Sequence, residues 1–117
     1  MAGLVVTVES ADGGEGSSRT MVRLAGEADA TTGALPDVLG AEAAKRPRLL
    51  LIEMSRLTFI DSSALSVILR THRELDRTGC LLALVSPSTA VARVLQLVGA
   101  DQVIPVYGSA DEAADRA

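Results

Sequence analysis

Leu49-Leu50-Leu51-Ile52-Glu53-Met54, Ser55-Arg56-Leu57-Thr58-Phe59-Ile60 and Asp61-Ser62-Ser63-Ala64-Leu65 follow one another without a gap, and their order decides the fold class. The first run is apolar enough for a strand covered on both faces. The second reads as a short connection. The third opens a strongly amphipathic segment that ends near Arg77. Leu65, Ile68, Leu69, His72 and Leu75 recur there at helical spacing and form a candidate buried stripe. Ser63, Ser66, Arg70, Arg73, Glu74 and Arg77 fall mostly on the opposite side. A carboxylate and two hydroxyls thus sit where a strand hands over to a helix. Asp and Ser are preferred N-caps, so Asp61-Ser62-Ser63 reads first as a redundant cap. The same place carries free N–H groups and the positive end of the helix dipole, which favour a phosphate. A serine there can be phosphorylated without unfolding its surroundings.

Working outward, the rest of the chain alternates strands and helices. Leu4 to Glu9 reads as a strand, Ser10 to Ser18 as a glycine-rich loop, and Arg19 to Ala25 as a second strand that can pair antiparallel with the first. Gly26-Glu27-Ala28-Asp29 ends it. Thr31 or Thr32 caps a helix running to about Lys45, with Pro36 near its first turn, where a missing N–H costs little. Arg48 to Met54 is the third strand, followed by the Ser62–Arg77 helix and its Thr78-Gly79 stop. Cys80 to Val85 is a fourth strand. Ser86-Pro87-Ser88 leads into a helix from Thr89 to Val98, stopped by Gly99. Val103 to Val106 is a short strand whose Pro105 favours an edge. Ser109-Ala110-Asp111-Glu112 starts a last short helix. The expected fold is α/β: one domain over residues 1–117, with a mixed, mostly parallel sheet of about five strands and about four helices.

Composition narrows the function classes. Phe59 and Tyr107 are the only aromatics among 117 residues, so the core must be built from Leu, Val, Ile and Ala. A net charge of −4 argues against a general nucleic-acid binder. Cys80 is the only cysteine, which excludes an internal disulfide and CxxC motifs; at the head of an apolar strand it reads as a small buried hydrophobe. A reducing cytoplasm fits. The Met1–Val6 stretch lacks the basic flank and long apolar run of a signal peptide, and no apolar run approaches a membrane span.

The motifs together are specific. Gly26-Glu27-Ala28-Asp29, Leu57-Thr58-Phe59-Ile60-Asp61-Ser62-Ser63-Ala64-Leu65, and Leu84-Val85-Ser86-Pro87 followed by Val94-Leu95-Gln96-Leu97-Val98-Gly99 resemble the anti-sigma factor antagonist family, the free-standing STAS domain of bacteria. The likeness runs from about Leu4 to Ala114, and the middle motif is its most specific part. It implies a partner-switching cycle. The dephosphorylated protein binds an anti-sigma factor that is a serine/threonine kinase, and the sigma factor is released. Phosphorylation by that kinase breaks the complex, and a PPM-type serine phosphatase resets it. By position the phosphoacceptor is Ser63, with Ser62 the adjacent alternative. Asp61 caps and orients the segment. Asp29, Ser62 and the Ser86-Pro87-Ser88 loop, including Ser88, flank the docking surface, and Ser66 and Arg70 continue it along the helix. Ala64 stands where the family usually has glycine. No cofactor and no metal are expected, and the protein is expected to be a monomer or weak dimer.

Two other readings compete. An enzyme would need a base beside its serine, but His72, the only histidine, lies in the apolar stripe pointing away from Ser63. Gly13-Gly14-Glu15-Gly16 lacks the Lys-Ser/Thr of a phosphate-binding loop, and metal-ligand spacing is missing. A scaffold or sensor STAS domain, assembling with copies of itself or with other regulators without being phosphorylated, would use an exposed sheet edge, either Leu4, Val6 and Val8 or Val103 and Val106.

Overall fold

The computed structural model describes residues 3–12, 18–29 and 33–116. The first two strands are β1 (Leu4–Asp12) and β2 (Ser18–Ala28), paired antiparallel. Helix α1 (Ala34–Ala44) leads to β3 (Leu49–Ile60), α2 (Ser62–Arg77) to β4 (Leu81–Val85), and α3 (Thr89–Val98) with a 3₁₀ turn (Ala100–Gln102) to β5 (Val106–Tyr107). Helix α4 (Ala110–Arg116) follows. The five strands lie in the order β1-β2-β3-β4-β5, and every pair after the first is parallel.

That order dictates the layers. Each crossover from β2 to β5 steps to the next strand in the same direction, and such crossovers share one hand. Helices α1, α2 and α3 therefore land on the same face. Val22, Leu24, Leu50, Ile52, Leu82 and Leu84 meet Leu35, Leu39, Leu65, Ile68, Val91 and Leu95 there in the main core. The intervening residues Leu49, Leu51, Ala83 and Val85 point to the other face, where Ala113 of α4 covers them. This double cover explains the continuous apolar run at positions 49–52. Leu50 and Ile52 are fully buried, and each such side chain contributes about 1.5–3 kcal/mol.

Four boundaries differ from the sequence reading. Residues 55–60 continue β3 rather than connecting it to α2, and β2 runs through Gly26 to Ala28 instead of ending there. Register shifts between Arg23 and Ala25 and between Gly26 and Glu27 leave Met54, Leu57 and Ile60 buried at a spacing of three. Bulges of this kind break the two-residue period by which strands are recognised. Ser10 to Asp12 extend β1. The last strand is Val106–Tyr107, because Ala100–Gln102 wind into the 3₁₀ turn and Val103 caps it. In α2, Thr71 fills the buried position expected of His72, which is half-buried. The glycine-rich positions 13–17 and the expected caps Thr31 and Thr32 lie outside the described residues; α1 starts from Gly33 without a side-chain cap.

Gly26 is required by its surroundings. It sits at φ 100°, and a Cβ there would run into the carbonyl of Gly3, a clash in a conformation that already disfavours side chains. Gly40, by contrast, lies inside α1 with nothing within 4 Å of a Cβ. We expect Gly26→Ala to cost upwards of about 1–3 kcal/mol and Gly40→Ala to stabilise by about 0.5–1 kcal/mol. Urea titrations of the two variants should move the midpoint in opposite directions.

Candidate functional site

The carboxyl ends of parallel strands are where open α/β sheets place their sites, and here β2 and β3 end together. Glu27 pairs with Phe59 and Ala28 with Ile60. The chain then turns sharply. Asp61 donates its backbone N–H to the carbonyl of Ala28 at 3.0 Å. This bond sets Asp29, the next residue of the outgoing chain, beside the start of α2. Thr58 adds a second tie, donating its hydroxyl to Gly26 O at 3.0 Å.

Asp61 is the N-cap of α2. Its backbone is extended (φ −103°, ψ 178°), and its Oδ1 accepts the Ala64 N–H at 2.9 Å. The carboxylate does the capping, so Ser62 and Ser63, the first two helical residues, are not needed for it. Both are exposed. Ala64 points the other way: it is 3% exposed and belongs to the main core. Its methyl group therefore packs inward and leaves the outer surface of the segment clear. Ser66 lies one turn on, exposed, with its hydroxyl donated to Ser62 O at 2.8 Å. Arg70, Arg73 and Arg77 continue along the exposed face. Among the described residues the ion pairs are Arg23–Glu9 and Lys45–Glu42, so these three guanidiniums are free to meet a partner.

The Ser86-Pro87-Ser88 loop lies at the same end of the sheet, yet two of its hydroxyls are engaged in the fold. Ser88 caps α3, accepting the Val91 N–H at 3.4 Å, and donates to Leu57 O at 2.6 Å, which pins α3 to the extended part of β3. Ser86 sits in the left-handed region at φ 51°. It donates its hydroxyl to Gly108 O at 2.7 Å and its N–H to Tyr107 O at 2.8 Å. Of the expected site residues, the fold thus groups Asp29, Asp61, Ser62 and Ser63 closely, sets Ser66 and Arg70 along α2, and turns Ser86 and Ser88 to bracing the loop.

Phe59 was not anticipated as a surface residue. It is 48% exposed, two positions before Asp61. No periodicity signalled it, because Leu57 and Ile60 are buried three apart in the bulged part of β3. His72 is far from this surface. It follows Ser63 by nine residues, which is half a revolution around the helix and about 13 Å along it. Its Nδ1 is buried without a hydrogen-bond partner.

The STAS domain family matches residues 12–113 of the sequence. The chain belongs to that family. An anti-sigma F factor antagonist of Paenibacillus polymyxa is 30% identical over 89 residues, covering 74% of this chain and 76% of that protein. A Thermotoga maritima relative is 37% identical over 60 residues, 51% of this chain, and the match spans about half, 53%, of its own length. Among solved structures, an anti-sigma factor antagonist from Mycobacterium paratuberculosis superposes with a TM-score of 0.83 at 29% identity, over 97% of this chain and 92% of that one. The five-stranded mixed sheet and four helices described above are thus the architecture of a STAS domain. No helix among the described residues is long and apolar enough to cross a membrane.

Because one carboxylate makes the cap of this STAS domain, Asp61→Ala should cost about 0.5–2 kcal/mol, while Asp61→Asn, which keeps an acceptor, should cost a few tenths. Thermal melts of the two variants beside Ser63→Ala, expected to be nearly neutral, check the assignment.

Proposed function

We propose that this STAS domain is an anti-sigma factor antagonist whose partner is an anti-sigma serine/threonine kinase, and that Ser63 is the switch. The observation that carries the reading is the division of labour at the head of α2. Asp61 holds the helix end, which leaves an exposed Ser63 hydroxyl at a preformed helix N-terminus. The similarity to anti-sigma factor antagonists supports the partner class.

The chemistry follows from charge. In the unmodified state the exposed Phe59, the serine pair and the arginine face of α2 form the docking surface for the kinase. Phosphoryl transfer from ATP to Ser63 Oγ breaks the β–γ phosphoanhydride bond and forms a phosphate ester. It brings about −1.5 to −2 charges and three acceptor oxygens. The uncapped N–H groups and the dipole of α2 accommodate them. Asp29 and Asp61 sit close by, so the phosphate concentrates negative charge on a surface built to approach a nucleotide-binding partner. Repulsion and desolvation then weaken the complex without rebuilding the fold. A PPM-type serine phosphatase hydrolyses the ester and restores binding. In this cycle the protein is the substrate of the kinase and of the phosphatase, and His72, half a revolution from Ser63 around α2, takes no part.

Purified protein is incubated with ATP and each anti-sigma kinase of the same genome, and phosphate is mapped by intact mass and fragmentation. The expected result is one phosphate on the wild type, retained in Ser62→Ala and absent from Ser63→Ala. Ser63→Glu should bind the kinase at least about tenfold more weakly, a change of about 1.4 kcal/mol, at unchanged stability. Tight binding without phosphate refutes the switch but not the antagonist; neither binding nor phosphate with any kinase overturns both.

A further inference from the structure

The two edges of this sheet are built differently. At one edge, β5 is two residues long and is preceded by Pro105, and short strands and prolines are devices that block edge pairing. At the other, β1 runs nine residues from Leu4 to Asp12 and pairs with β2 without a register shift. It contains no proline and no lysine, and no described element pairs with its outer side. Its charges, Glu9 and Asp12, stand toward its C-terminal end, so Leu4 to Val8 carry none of these devices.

The hydrogen-bond geometry shows which groups are left open. Glu27 donates its N–H to Gly3 O at 3.1 Å. Backbone groups alternate sides along a strand, so Gly3, Val5, Thr7 and Glu9 turn their amides and carbonyls toward β2. Leu4, Val6, Val8 and Ser10 turn theirs outward. The side chains of Val6 and Val8 lie on the helix-covered face, level with Leu24 and Val22. Val8 remains 40% exposed, and Val5 on the opposite face 62% exposed.

We propose that β1 pairs antiparallel with β1 of a second copy of this chain, across a two-fold axis at Thr7, so that the two sheets join into one. The occupant is argued from self-complementarity. With the axis at Thr7, the outward groups of Val6 in one copy meet those of Val8 in the other, and Leu4 meets Ser10, so every open donor from Leu4 to Ser10 finds an acceptor. Valine then stacks on valine across the seam, covering the exposed part of Val8. Glu9 falls opposite Val5 instead of opposite another Glu9, which keeps like charges apart. An axis at Val6 would leave Ser10 without a counterpart in the described strand. A two-fold pairing also closes on itself, so the edge is consumed and no fibre grows. The surface is on the far side of β2 from the α2 head, so the inference is independent of the proposed switch.

Analytical ultracentrifugation of the full chain across a concentration series reads the oligomer, with three variants. Val6→Pro deletes an outward N–H and leaves the β1–β2 ladder intact; Val8→Lys adds a charge to the seam. Both should remain folded by circular dichroism and lose the dimer over the range where the wild type forms it. Thr7→Cys should form an inter-subunit disulfide on mild oxidation, because residues facing each other in a non-hydrogen-bonded pair lie about 4.5 Å apart at Cα, within disulfide range; the native Cys80 is buried. If Val6→Pro unfolds, hydrogen exchange on the wild type decides: the amides of Val6, Val8 and Ser10 should slow as concentration rises, while those of Val5 and Thr7 are slow throughout. A wild type that stays monomeric to millimolar concentration overturns the proposal and leaves the edge to a strand of another protein. A dimer that survives both Val6→Pro and Val8→Lys, or a Thr7→Cys that does not cross-link, overturns it equally.

Discussion

The bond from Asp61 N–H to Ala28 O joins the end of β2 to the start of α2, and the arrangement of the site depends on it. Without it, the Gly26-Glu27-Ala28-Asp29 segment and the Asp61-Ser62-Ser63 segment would be two loops at the same end of a sheet. With it, they form one surface of fixed shape. The bond is possible only because β2 and β3 remain paired beyond their first register shift. A second shift follows at Gly26 and Glu27, beside a glycine at φ 100° where a Cβ would meet the Gly3 carbonyl.

The architecture was legible because its signals are local and strong. The apolar run at 49–52, the amphipathic stretch at 62–77 and the stops at Gly79 and Gly99 each follow from the residues in a short window, and both glycines adopt the left-handed conformation such stops need. Element ends were less legible where non-local pairing decided them. Leu57 and Ile60 are buried three apart because β2 holds that stretch in a bulged register, and no two-residue or helical period exists to be read. The stretch after α3 has the same character: Val103, Ile104 and Val106 favour a strand by type, but the αL break at Gly99 and the burial of Ala100 and Ile104 accompany a 3₁₀ turn that delays the strand to Val106.

At the site, the residue types were readable and their division of labour was not. Asp61, Ser62 and Ser63 are all capable caps, and only the geometry shows that the carboxylate takes the Ala64 N–H. Likewise Ser86 and Ser88 looked like surface hydroxyls, but each is drawn into bracing a neighbouring strand by a carbonyl some twenty or thirty positions away in sequence. Ala64 is the inverse case. In sequence it is a departure from the family's glycine on what reads as a docking surface. In space it is the third helical residue, whose Cβ points back over the preceding turn and into the core. A methyl group there fills apolar volume without altering the outer face.

This arrangement constrains how a phosphate on Ser63 would act. A helix N-terminus that is already capped, with its third residue buried and its preceding strand pinned by Ser88 to α3, has little freedom to rearrange. A switch built there works by changing charge on a surface that stays in place. Such a device suits a small domain whose core consists almost entirely of aliphatic side chains in close contact, because interiors of that density transmit strain instead of absorbing it. A modification that demanded repacking would endanger a folded state stabilised by only about 5–15 kcal/mol. One that adds charge outside the core leaves that margin intact, and the cost is borne by the complex with the partner.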